Sequence, residues 1–208
     1  MGRTLGAGLG ATVLNQDIYE ISADQKHRLG TRVVRGDKVY RYAKAGAAHT
    51  SNAVACWRIY NQTIASSSVQ AVAPAGQNFV LVTVGSSEGI ANDGVFAKDV
   101  MAGGNILIAL TSAYGEIFNF TILGNDALAA AGTLKIYLDG NLPVALTTSS
   151  YVEAHTCIYS DVRHGNMGGF AMCLGVAMRL ATVAAPYFWV QSWGPSWLAS
   201  QPAVGLGA

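Results

Sequence analysis

The chain of 208 residues is 51% hydrophobic and 12% charged, with a formal net charge of +1 and a mean hydropathy of +0.30. About a quarter of an ordinary globular chain is charged, so this composition argues against a free monomer with a fully solvated surface and for one largely covered by other protein. No stretch reaches the ~20 apolar residues of a membrane-spanning helix, and the cysteines, Cys56, Cys157 and Cys173, are odd in number and widely spaced, which reads as buried thiols in a reducing compartment.

Residues 1–16 are rich in Gly, Ala and Thr and have no helical or strand period. Gly6, Gly8 and Ala11 match the G-x-G-x-x-A spacing of dinucleotide-binding turns. That fingerprint needs a strand before it and a helix after it, and no βαβ pattern follows. No apolar core follows Arg3, so a secretory signal is not expected. The segment reads as an extended N-terminal arm that lies flat against a partner.

Residues 31–35 and 38–43 are β-rich runs separated by Gly36-Asp37, a two-residue hairpin turn. Seven of the 13 basic residues lie between Lys26 and Lys44, against one acid, Asp37. Residues 1–46 are therefore read as an arm plus a basic hairpin. Residues 47–76 read as a connecting segment with a short helix over 50–60, and 77–208 as a β-sandwich or barrel body. In that body the runs 78–84, 105–110, 117–123, 133–138, 144–148, 171–178 and 187–193 are predicted strands, broken by glycine-rich turns. Residues 127–131 fit one helical turn. The fold class is mainly β, with little helix.

Enzyme chemistry finds little support. H-x-x-x-H, C-x-x-C and H-E-x-x-H are absent, so neither a metal nor another cofactor is expected, and there is no G-x-S-x-G elbow. His155 and Cys157, two apart, would share a side of a strand; a loop histidine and a core thiol explain them. Asp93 and Asp99 read as solvated loop charges.

The hairpin's interleaved Arg, Lys and Tyr suit phosphates and bases, but a pI of about 7.7 argues against a nucleic-acid module. Arg and Tyr are also favoured anchors of protein interfaces, so an acidic protein surface is the expected partner. Three of the four tryptophans fall within nine residues near the C-terminus. On a strand Tyr187, Trp189 and Trp193 share one face and Phe188 the other. With Trp197 they are read as core or oligomer-interface aromatics.

HRLGTRVVRGDKVYRYAKAG (27–46) and YFWVQSWGP (187–195) resemble the two ends of structural proteins from the virion-assembly regions of tailed bacteriophages. GGNILI, YGEIFNFTILGN and TLKIYLD between them fit the same pattern, so the resemblance spans about residues 27–195. It implies a capsid decoration, or cement, protein. Such proteins are β-rich, form homodimers or homotrimers, and sit on the outer capsid surface of a virion made in the bacterial cytoplasm. They bridge neighbouring major capsid protein subunits, and the family carries no catalytic residue. On this reading Arg28, Arg32, Arg35, Lys38 and Arg41 pair with acidic groups of the shell, with Tyr40 and Tyr42 as apolar anchors. A tail or baseplate component, and a glycan-binding domain using Trp189, Trp193 or Trp197, are the alternatives.

Overall fold

The computed structural model describes residues 16–48, 54–58, 62–89, 91–111, 115–164 and 171–198; the glycine-rich run with Gly6, Gly8 and Ala11 lies outside them. Among the described residues there are twelve strands and no helix. In chain order they are β1 (Arg32–Arg35), β2 (Lys38–Lys44), β3 (Val54–Arg58), β4 (Gln62–Ser68), β5 (Phe79–Val84) and β6 (Asn105–Ala109). Then follow β7 (Ile117–Asn125), β8 (Gly132–Leu138), β9 (Tyr151–His155), β10 (Val162–His164), β11 (Ala171–Ala177) and β12 (Tyr187–Trp193). The body is mainly β, as expected. The chain divides into two compact units, one of residues 1–56, 162–166 and 173–208, the other of 57–161 and 167–172.

The first unit carries a six-stranded sheet in the order β1-β2-β12-β11-β3-β10. Arg35 pairs with Lys38 across the hairpin turn. Gly36 has φ of 58°, the left-handed first position of a type II′ turn, where glycine carries no steric cost. β12 runs antiparallel between β2 and β11, and every residue from Phe188 to Gln191 is buried. Phe188 and Trp189, read as core or oligomer-interface aromatics, are core side chains here, with both faces of the central strand covered. Ile18, Val33, Tyr40, Tyr42 and Trp189 form the core on one face of this sheet. At its far end Ala45, just past β2, bridges in parallel to Val162 of β10.

The second unit is a six-stranded sheet in the order β4-β9-β6-β7-β8-β5. It curls so that its outermost strands meet: Val69, beyond β4, bridges Val82 of β5, and the Gln70 N–H donates to the Leu81 carbonyl at 2.8 Å. Alternate residues line the inside. Val80 faces Ile136 and Val82 faces Leu134 across β5 and β8, with Ile106, Ile108, Ile122 and Val152 completing the core. Each such side chain contributes about 1.5–3 kcal/mol on burial. Asn125, fully buried, accepts from the Met101 N–H at 2.9 Å and donates to the carbonyls of Ala97 (2.9 Å) and Asp126 (2.7 Å). The loop before β6 is thereby tied down by a satisfied polar group.

Several sequence expectations change. Of the helix expected over 50–60, the described part, Val54–Arg58, is strand β3, where Ala55 and Cys56 are both buried, and the rest lies outside the described residues; periodicity does not separate a short, buried strand from a helix. Residues 47–76 are not a connector, because they hold β3 and β4. Residues 144–148 form no strand; Leu146 makes one isolated bridge, to Ala73. Leu128, placed in a helical turn, bridges Phe96 instead. The single body over 77–208 is also not what the contacts define, since β12 hydrogen-bonds to β2 and belongs with the hairpin. Of the three thiols, Cys56 and Cys157 are buried but Cys173 is exposed.

Candidate interaction surface

Residues that face one another across paired strands project to the same side of the sheet. Val33 pairs with Tyr40 and Arg35 with Lys38 on one side; Arg32 pairs with Arg41 and Val34 with Val39 on the other. β12 continues both rows, with Trp189 opposite Tyr42 and Trp193 opposite Val39. The basic residues thus occupy both faces of the ribbon rather than one positive face.

The first side is covered by the chain itself. Tyr40 and Tyr42 are buried, so they are not partner anchors: their rings are spent on the unit's own core. Tyr42 lies 5.0 Å from Trp189 and stacks on Tyr187 at 6.1 Å. Its hydroxyl donates to Gln16 Oε1 at 2.7 Å, and burial pushes that hydroxyl above its ordinary pKa, which keeps it a donor. The Gln16 carbonyl accepts from Trp189 Nε1 at 3.3 Å. Gln16 and Ile18 are buried. Residues 16–26, expected in a partner-bound arm, therefore include a stretch packed against β2 and β12. Arg35 on this side meets Asp17 at 3.3 Å, both side chains nearly half exposed; a pair of that kind adds at most about 1 kcal/mol.

His27 caps the same aromatic cluster, 5.1 Å from the Tyr42 ring and 5.3 Å from Trp189. Its Nε2 is buried without a hydrogen-bond partner among the described residues, and burial lowers its pKa below the ordinary 6.5. The folded chain thus favours the neutral ring, and the unfolded chain takes up the proton first as pH falls. His27's contribution is fully present above about pH 6.5 and is lost as pH drops through and below that value. Urea midpoints at pH 7.5 and 5.0 should fall less on acidification in His27→Phe than in the wild type; equal falls would exclude His27 as a source.

The second side is open towards the hairpin turn. Val34 is 51% exposed and Trp193 71%; Trp197, past the end of β12, is 86% exposed. Beside this apolar strip, Arg32 and Arg41 stand directly opposite one another. Like charges so placed repel. Arg41 Nη1 donates to the Gly30 carbonyl at 2.9 Å, Arg32 is exposed, and among the described residues no carboxylate forms an ion pair with either. An acidic partner would relieve that repulsion. Arg28 is exposed in the approach to β1, and Lys38 is half-buried on the covered side. The aromatics divide likewise: Phe188 and Trp189 are core, Tyr187 is half-buried, and Trp193 and Trp197 are free to meet a partner. The sequence carried both kinds in one run, without the bulge between Gln191 and Trp193 that turns the end of β12 outward.

The second unit has a shallow cavity of about 210 Å³ lined by Asn105, Leu107, Asn119, Glu153 and His155, among others. His155 Nδ1 lies 2.8 Å from the Thr156 carbonyl. Cys157 is buried beyond the end of β9 and does not line the cavity, so the two are not a strand pair. Among the described residues no group of three or more His, Cys, Asp or Glu is placed to hold a metal. No family model matches the chain, and it matches no curated protein and no solved structure.

Proposed function

We propose that this is a structural virion protein that binds the outer surface of a phage capsid and bridges neighbouring major capsid protein subunits, acting without catalysis or cofactor. One observation carries the reading. The two segments that resemble phage decoration proteins, separated by residues 47–186 in the chain, lie side by side as β2 and β12. Together they present the Arg32–Arg41 pair beside exposed Val34 and Trp193. Arginine and tryptophan dominate the energetics of protein interfaces, and the crowded guanidinium groups call for an acidic counterpart. Weak sites of this kind add up when many copies engage one lattice. Self-association as a dimer or trimer fits the low charged fraction.

Binding to undecorated shells tests it. Trp193→Ala is expected to weaken binding by about 30-fold, the effect of losing a central aromatic anchor. Arg32→Glu should weaken it about tenfold and flatten its salt dependence. Unchanged affinity in both variants would remove this face from the proposal.

A second reading rests on the exposure of Trp193 and Trp197, since indole faces also stack on sugar rings. It excludes Trp189, which is sealed in the core. Quenching of the exposed indoles by host glycans, with no protection by capsid, would favour it.

A further inference from the structure

β3 and β11 are neighbours in the sheet of the first unit. β3 carries Cys56, which is buried, and β11 carries Cys173, which is exposed; both are free thiols. Neighbouring strands lie about 4.7–4.9 Å apart, so a cysteine on each can come within the span a disulfide bridges. The two sulfurs also sense each other: after burial, the neighbouring Cys173 is the next influence raising the pKa of Cys56.

We propose that Cys56 and Cys173 are a redox pair that closes to a cross-strand disulfide when the protein meets an oxidising thiol–disulfide pool. The exposed Cys173 thiolate attacks one sulfur of a small disulfide such as oxidised glutathione. The small molecule's S–S bond breaks and one glutathione thiolate leaves. Cys56 then loses its proton and attacks Cys173 Sγ, expelling the second glutathione. Two thiol hydrogens are lost from the protein, and both electrons end on glutathione. The buried, raised-pKa thiol makes the second step the slow one.

The location gives the bond its effect. In chain order the first unit gives way to the second just after Cys56, returns for residues 162–166 and resumes at Cys173. A link there ties the two crossing points together and closes a long loop, the case in which chain-entropy stabilisation is largest.

The test is incubation of the full chain with oxidised glutathione, followed by non-reducing peptide mass mapping. The expected product is a monomer lacking two hydrogens, with the Cys56 and Cys173 peptides joined. Its thermal midpoint should rise on the order of 5–10 °C over the reduced chain. Cys56→Ser should instead accumulate the glutathione adduct on Cys173, and Cys157→Ser should still form the link. A free Cys56 in the oxidised wild type, whether Cys173 is glutathionylated, joined to a second chain or unreacted, would overturn the proposal.

Discussion

Trp189→Ala is expected to destabilise the first unit by about 3–5 kcal/mol, the usual cost of emptying a fully buried aromatic site. That is a large share of the roughly 5–15 kcal/mol that holds a domain folded. The indole is completely buried and lies against Tyr42 and His27. Its removal also takes away the donor to the Gln16 carbonyl, so the segment that covers β2 loses a tether along with its packing. Trp193→Ala, at 71% exposure on the same strand, should stay within about 0.5 kcal/mol of wild type. Urea denaturation of the two variants, followed by near-UV circular dichroism, separates the roles: one tryptophan builds the sheet and the other is available to a partner. Similar midpoints for both would contradict this division.

Gly104→Ala is expected to cost the second unit about 3 kcal/mol, the upper end of the usual overpacking penalty. A Cβ at this position would collide with the His155 carbonyl oxygen and would sit 2.9 Å from both the Met101 oxygen and the Thr156 carbonyl carbon. All three are backbone atoms, so no side chain can swing aside. Asn105, the next residue, pairs with His155 across β6 and β9, and the Gly104 carbonyl accepts from the Ile122 N–H at 2.9 Å. Relief would have to come from parting β6 from β9 or from giving up the link to β7. Hydrogen exchange should show faster exchange along β9 in the variant; an unchanged pattern and midpoint would show that the sheet yields locally at little cost.

Much of the strand layout was legible in the sequence, and the reasons are specific. The hairpin declared itself by Gly36-Asp37 between β-rich runs, and β5 and β8 as short runs of Val, Leu and Ile bounded by turn residues. β9 offered an equally clear alternation, with Val152 and Ala154 buried between half-buried Tyr151, Glu153 and His155, but its small alanine weakened the hydrophobic signal. β4, QTIASSS, has one large apolar residue, Ile64, and takes its place in the sheet from β9 rather than from its own composition. The candidate surface was half legible. The cations were found, but alternation alone could not say which side of the ribbon residues 16–20 would cover, and so which tyrosines would vanish into the core. That depended on Trp189, far along the chain.

The position of β12 at the centre of its sheet has a consequence for synthesis. While the polypeptide is being made, β2 emerges long before its neighbour β12, and all strands of the curled second sheet are complete in between. The later module can therefore mature first, while the hairpin waits without β12 and without Trp189 beside Tyr42. The hairpin is sealed only when residues 187–193 arrive, which makes that interval the stage at which nascent chains are most prone to stick to one another.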